Sequence, residues 1–132
     1  MTVWRGRATV GLPVYRGADL IAKVLNCLQQ QTFGKFEAII SVDGNDRETA
    51  EACRPFLADP RFRVVVHPER LDWVGNFNWL LQQDLKDFFC YRQHDDTTAP
   101  EFFEILLRVA DKGSARCCDL LRLSNDWRAQ RH

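Results

Sequence analysis

The chain has no long apolar run. Nothing in its 132 residues approaches the roughly 20 consecutive apolar residues that a membrane-spanning helix needs, so no integral membrane segment is expected. The N-terminus carries no apolar stretch of the kind that forms the core of a secretory signal. The chain is therefore expected in the cytoplasm, with attachment to the inner face of a membrane left open. Neither sign of charge is in excess, since 18 Lys and Arg balance 18 Asp and Glu. No basic stripe stands out either, which argues against a nucleic-acid partner. The five cysteines, Cys27, Cys53, Cys90, Cys117 and Cys118, are odd in number and follow no zinc or redox spacing. They read as reduced thiols, mostly buried packing residues. Internal repeats and low-complexity segments are absent.

What is there is enough apolar material for one core. Hydrophobic residues make up 45% of the sequence, within the range of globular domains, and the length suits one domain better than two. Strand and helix patterns alternate. Ala8 to Val14 reads as a strand, followed by the turn Tyr15–Arg16–Gly17. Ala18 to Gln31 reads as a helix with Leu20, Ile21, Val24, Leu25 and Leu28 on one stripe. Phe36 to Val42 is apolar enough for a strand buried on both faces. Asp43–Gly44–Asn45–Asp46 is a turn, and Asp46 is placed to cap a helix reaching about Arg54, where Pro55 ends it. Phe62 to His67 is a third strand, Val74 to Gln83 a third helix, and Phe88 to Tyr91 a fourth strand. Thr98–Ala99–Pro100–Glu101 has capping-box spacing before a helix from Glu101 to about Asp111. Four strand–helix repeats with short connections predict an α/β fold, a Rossmann-like, mostly parallel sheet with helices on both faces. Residues 1–112 form the expected domain. Residues 113–132 read as an irregular tail, in which Cys118 to Leu123 is a candidate strand.

Three polar clusters follow strands directly and so share the rim where open parallel sheets bind ligands. They are Pro13–Val14–Tyr15–Arg16, Asp43–Gly44–Asn45–Asp46 and His94–Asp95–Asp96. Adjacent carboxylates at the end of an apolar strand call for a cation, a partner or water. Magnesium suits such a place, because it takes one or two carboxylates together with substrate phosphates. Each feature also has a plainer reading. Asp95 and Asp96 could simply favour the N-terminus of the next helix. Asp46 reads as a helix cap rather than a ligand contact, His94 as a hydrogen-bonding neighbour, and His67 as the solvent end of its strand. Arg70 could meet a phosphate but reads more readily as a solvated loop charge, and Trp73, Phe77 and Trp79 could stack on a base or sugar but at helical spacing read as core.

Taken together, Leu12–Pro13–Val14–Tyr15, the Gln31–Thr32–Phe33 turn, the run from Phe36 to Asp43–Gly44, and a strand ending in His94–Asp95–Asp96 resemble family 2 glycosyltransferases of the GT-A fold. The resemblance runs from about Thr9 to Val109. It implies sugar transfer from a nucleotide-diphosphate sugar to the hydroxyl of an unidentified acceptor (glycan, lipid or other). It implies that Pro13, Val14 and Tyr15 line the nucleotide pocket and that Asp43 meets the base or ribose. Asp95 matches the last acid of the DXD motif, which binds Mg2+ or Mn2+ and the diphosphate, and Asp96 is the acid that often follows. Three departures stand out. Val42 replaces an acid before Asp43, Gln93 replaces the first acid of the motif, and Asn76–Phe77–Asn78 stands where an Arg–Asn pair is common. The family's acceptor half, with its catalytic base, has no counterpart after Asp96. The alternative to an enzyme is thus a truncated, non-catalytic remnant that binds nucleotide weakly or not at all. A magnesium-dependent phosphoryl-transfer domain also places acids at strand ends, but the Gly-rich phosphate loop or the phosphoacceptor-plus-Lys set it needs is missing. The tail is expected to arise from truncation or a frameshift near codon 113. Translation of the downstream DNA in three frames tests this, and a lack of strand and helix patterns in every frame removes the frameshift.

Overall fold

A computed structural model of the chain describes residues 7–111 and 120–122. The elements follow the order β1 (Ala8–Val14), α1 (Ile21–Gln29), β2 (Phe36–Val42), α2 (Arg47–Cys53), β3 (Phe62–Val66), α3 (Asp72–Leu81), β4 (Phe88–Tyr91), α4 (Phe102–Asp111) and β5 (Leu120–Arg122). A 3-10 turn at Arg54–Phe56 carries Pro55 in its first residues and closes α2. The sheet order is β3-β2-β1-β4-β5. The first four strands are parallel, and β5 runs antiparallel to β4. The sheet is therefore mostly parallel, as the alternation implies. The candidate strand Cys118–Leu123 is met by β5, and the rest of the segment 113–132 lies outside the described residues.

Side chains alternate across the sheet because successive strand residues point to opposite faces. Val10, Leu12 and Val14 of β1, Ala38, Ile40 and Val42 of β2 and Phe88 and Cys90 of β4 point to one face. There they meet Ile21, Val24, Leu25 and Leu28 of α1, Cys53 of α2, and Phe103 and Leu107 of α4. The opposite face is smaller. Ile39 and Phe89 meet Leu80 of α3 and the nearby Leu85. Helices thus cover both faces, unequally. Each fully buried Leu, Ile or Phe contributes about 1.5–3 kcal/mol relative to exposure, so the larger cluster supplies most of the cohesion. The Cys53 thiol, buried there, has its pKa raised to about 11 by desolvation. Cys27, Cys53 and Cys90 are free thiols. No helix among the described residues is long and apolar enough to cross a membrane.

Three expectations need correction. The helix after the acidic junction is not capped by Thr98. The Thr98 hydroxyl accepts from Arg92 Nη2 at 3.0 Å, while the Phe103 N–H, at the start of α4, donates to Gln31 Oε1 at 3.2 Å. A capping group from a distant loop replaces the local box, because Gln31 is held against the Ala99 carbonyl at 2.7 Å. His67 is not the solvent end of its strand. It is 8% exposed, packed edge-on against Trp79 with ring centroids 4.5 Å apart. Trp73 is not core. It is 73% exposed, because α3 begins at Asp72 and turns that position outward at the rim.

Gly11 of β1 lies against Phe89 of β4 and Leu80 of α3. A Cβ added there would sit 2.7 Å from Phe89 Cζ and 3.3 Å from Leu80 Cδ1. Gly11→Ala is expected to destabilise the fold by about 1–3 kcal/mol through overpacking, read as a lower midpoint in urea denaturation with an unchanged slope.

Candidate functional site

The strand order reverses between β1 and β4, so the crevice beside their carboxyl ends is the place where an α/β sheet of this kind takes a ligand. The loops that leave β1, β2 and β3 converge there. All three described residues with positive φ lie at this rim: Arg16 (50°), Gly44 (91°) and Asp72 (60°). For Arg16 and Asp72 such a conformation costs of order 1–3 kcal/mol, a cost that tends to collect at functional sites. Gly44 is required by its backbone and by space, since an added Cβ would come 3.1 Å from Arg70 Cδ.

Asp43 is the centre of the rim. It is 3% exposed. Its backbone N–H donates to the Val14 carbonyl at 2.8 Å, which ties the end of β2 to the end of β1. Its carboxylate accepts from Arg70 Nε at 3.1 Å and from the Leu71 N–H at 2.6 Å. Arg70 also pairs with Asp72 at 3.1 Å, and its guanidinium lies 3.7 Å from the centroid of the Tyr15 ring. Tyr15, Arg70 and Asp43 thus form one stack across three loops. Arg70 joins this stack at the rim, although in the sequence it reads more readily as a solvated charge. It follows the third strand just as the other clusters follow theirs, so the rim rule applied to that strand would have found it.

Two clefts meet at this stack. One, of about 560 Å3, runs over Tyr15, Arg16, Asp43, Asp46 and Arg70. The other, of about 450 Å3, runs from Pro13, Val14 and Tyr15 past Asp43 to Trp73, Phe77, Gln93 and His94. Tyr15, Asp43 and Arg70 line both. Asp46 lines the first cleft, yet its carboxylate is engaged as the α2 cap. It accepts from the Thr49 hydroxyl at 2.6 Å and the Thr49 N–H at 3.2 Å, and these bonds hold its pKa below the ordinary carboxylate value.

Beneath the second cleft lies a buried polar group. Ser41 of β2, His67 after β3 and Asn76 of α3 are each nine-tenths or more buried. The Ser41 hydroxyl donates to Asn76 Oδ1, and Asn76 Nδ2 donates to the Ser41 carbonyl at 3.0 Å. Having given its one proton to Asn76, the hydroxyl must accept from His67 Nε2, 2.7 Å away. His67 therefore carries a proton on Nε2. Asn76 anchors the helix that carries Trp73 and Phe77, while Asn78 is exposed.

The acidic junction differs from a buried charge pair. Asp95 is exposed, so water solvates it, and Asp96 is half-buried. Asp96 closes a turn on Gln93. Its Oδ2 accepts the Gln93 N–H at 2.9 Å and its N–H donates to the Gln93 carbonyl at 3.1 Å. Gln93 and His94 line the second cleft, whereas Asp95 and Asp96 line neither of the two. The rim thus brings Pro13, Val14, Tyr15 and Asp43 together and sets Asp95 and Asp96 one turn beyond. No group of three or more His, Cys, Asp or Glu side chains that could hold a metal by itself occurs among the described residues.

The family model for Glycosyl transferase family 2 matches residues 9–130. The chain belongs to this family. The match takes in every rim residue described above and runs through β5 and into the segment beyond it. Among solved structures, S. aureus TarS is 22% identical, with a TM-score of 0.73 over 80% of this chain and 20% of that one. S. aureus TarS 1-349 in complex with UDP-GlcNAc is 19% identical, with a TM-score of 0.70 over 80% of this chain and 31% of that one. A mannosyltransferase from Pyrobaculum calidifontis in complex with GDP-Man and Mn2+ is 23% identical, with a TM-score of 0.65 over 71% of this chain and 29% of that one. These likenesses establish the GT-A fold. The family 2 chain spans about a fifth to a third of the length of the solved structures it matches.

His67 supplies a pH dependence. Burial lowers its pKa from 6.5, against a smaller opposing pull from Asp43. The unfolded chain then binds the proton more readily than the folded one, so stability is complete above pH 6.5 and falls as pH drops from there toward the folded-state pKa. His67→Gln, whose amide can still donate to Ser41, is expected to flatten that part of the stability profile, as followed by urea denaturation between pH 5 and 8.

Proposed function

We propose that this family 2 chain binds a nucleotide-diphosphate sugar at the rim and serves sugar transfer to an acceptor hydroxyl. The Tyr15–Arg70–Asp43 stack carries the reading, because it places an aromatic face, a cation and a carboxylate where two clefts join. Asp43 accepts hydrogen bonds from the base or ribose, with lone pairs left over from its two protein partners. Pro13 and Val14 form the floor of the pocket, and Tyr15 offers its ring. The bound nucleotide sugars in the TarS and Pyrobaculum structures support this assignment.

The donor set after β4 fits Mg2+ or Mn2+. Asp95 has an exposed carboxylate, and Asp96 keeps one oxygen free while the other holds the turn. Two carboxylates suffice for such an ion when phosphate oxygens complete the shell. Asp95 would hold the ion and Asp96 would support it from the same turn. When bound, the ion would neutralise charge on the departing diphosphate. The Mn2+ in the mannosyltransferase structure supports the same choice of ion. The residues of this chain do the rest, with Asp43 and Tyr15 orienting the nucleotide and the Gln93–Asp96 turn facing the diphosphate. The acceptor's base is assigned to no residue between Ala8 and Asp111. The free thiols support a cytoplasmic setting.

Titration calorimetry of the chain with UDP and with GDP, each with Mn2+ or with EDTA, tests the reading. At least one nucleotide is expected to bind, and roughly tenfold or more tightly with Mn2+, a difference of about 1.4 kcal/mol. Asp95→Ala is expected to remove the Mn2+-dependent gain and leave the metal-free affinity. Tyr15→Ala is expected to lower both. Absence of binding by either nucleotide overturns the proposal.

A further inference from the structure

Arg92 lines neither of the two clefts at the rim. It is the first residue after β4 and is 9% exposed, a buried guanidinium. No carboxylate among the described residues pairs with it, and its Nε is buried without a hydrogen-bond partner. Burying a charge in this way is expensive, and an apolar residue of similar volume would be at least as stabilising. The contacts that Arg92 does make therefore indicate what the charge is for.

Its backbone N–H donates to the Gly11 carbonyl at 2.9 Å, which fixes it to β1. Its Nη2 donates to the Thr97 carbonyl at 3.2 Å and to the Thr98 hydroxyl at 3.0 Å. Its guanidinium lies 4.6 Å from the Phe102 ring centroid at the start of α4. The residues it joins flank the acidic turn on both sides, Arg92 before Gln93 and Thr97–Thr98 after Asp96. Inside that span the turn is closed by the two Gln93–Asp96 hydrogen bonds.

We propose that Arg92 is a positioning residue that clamps the two ends of the acidic turn together and so sets the direction of the Asp95 and Asp96 carboxylates. The inference rests on the donor-site reading for its consequence, and on the geometry alone for the clamp. A guanidinium suits the task because its Nη2 alone donates to both acceptors while its flat face packs on Phe102. Lysine would keep the charge and lose the planar group that packs on Phe102. Methionine would keep much of the volume and lose both. Asp95 needs the clamp more than Asp43 does. Asp43 is fixed by its own two bonds, whereas Asp95 stands exposed on a turn of few residues.

The clamp is tested on the whole chain with Arg92→Met and Arg92→Lys by two measurements. The first is amide hydrogen exchange at Gln93 and Asp96, with Leu12 and Ile40 as core controls. The second is the ratio of UDP or GDP affinity in EDTA to that in Mn2+. Both variants are expected to exchange faster at Gln93 and Asp96 with the core amides unchanged. Both are expected to lose most of the roughly tenfold or greater Mn2+-dependent gain, since removing a residue that supports metal ligands costs about 10- to 100-fold. Metal-free affinity is expected to stay at the wild-type value, a split that general loss of stability would not produce. If Arg92→Met also exchanges its core amides, Arg92→Lys decides. Wild-type exchange at Gln93 and Asp96 in a variant with a protected core overturns the clamp, as does an undiminished Mn2+ gain. If the wild type itself shows no Mn2+ gain, the donor-site reading fails, and the exchange rates still judge the clamp.

Discussion

A single buried carboxylate holds the rim together. Asp43 stands at the end of a central strand with almost no contact with solvent, so it must be paired or neutralised. It is paired twice, by a guanidinium and by a backbone N–H from the loop after the third strand. That arrangement brings Arg70 over Tyr15, fixes the start of α3 and thereby sets the wall formed by Trp73 and Phe77. With its own N–H on the Val14 carbonyl, Asp43 also ties the first and second strands at their ligand-facing ends. The stack, both clefts and the strained backbone at Asp72 are arranged around this one residue.

The second constraint is the uneven covering of the sheet. Three helices fill one face with large aliphatic and aromatic side chains, while α3 alone fills the other. On that thinner side the sheet uses hydrogen bonds where it lacks apolar bulk. Ser41, His67 and Asn76 hydrogen-bond to one another, as buried polar groups must if they are not to cost stability. The result is a hydrogen-bonded floor to the second cleft, which Asn76 itself lines.

Much of this was legible in the sequence. The strand from Phe36 to Val42 and the strand from Ala8 to Val14 have the bounds their apolar runs imply, and Asp46 caps α2 as its spacing before Thr49 requires. Asp43 could be placed because it follows an apolar strand directly, and position after a strand is a property of the sequence. Arg70, His67 and Trp73 were not placed correctly, because each depends on where the third loop turns. Helical spacing groups Trp73 with Phe77, but Trp73 stands in the first turn of α3, at the open rim, and is exposed. His67 is buried only because α3 lies against it. Thr98 was misassigned because a distant Gln31 took the cap position, a long-range contact that no local pattern encodes. The exposure of Asp95 likewise depends on a hydrogen-bonded turn within four residues, which adjacent acids do not by themselves reveal.

Tyr15, Asp43 and Arg70 form a common wall between the two clefts. A ligand on one side cannot shift this wall without reshaping the other. The two spaces are therefore thermodynamically linked, since any group in one that favours a given position of Arg70 changes the affinity of the other by the same factor in both directions. The pair behaves as one divided space rather than as two separate pockets, and whatever fills them does so in mutual dependence.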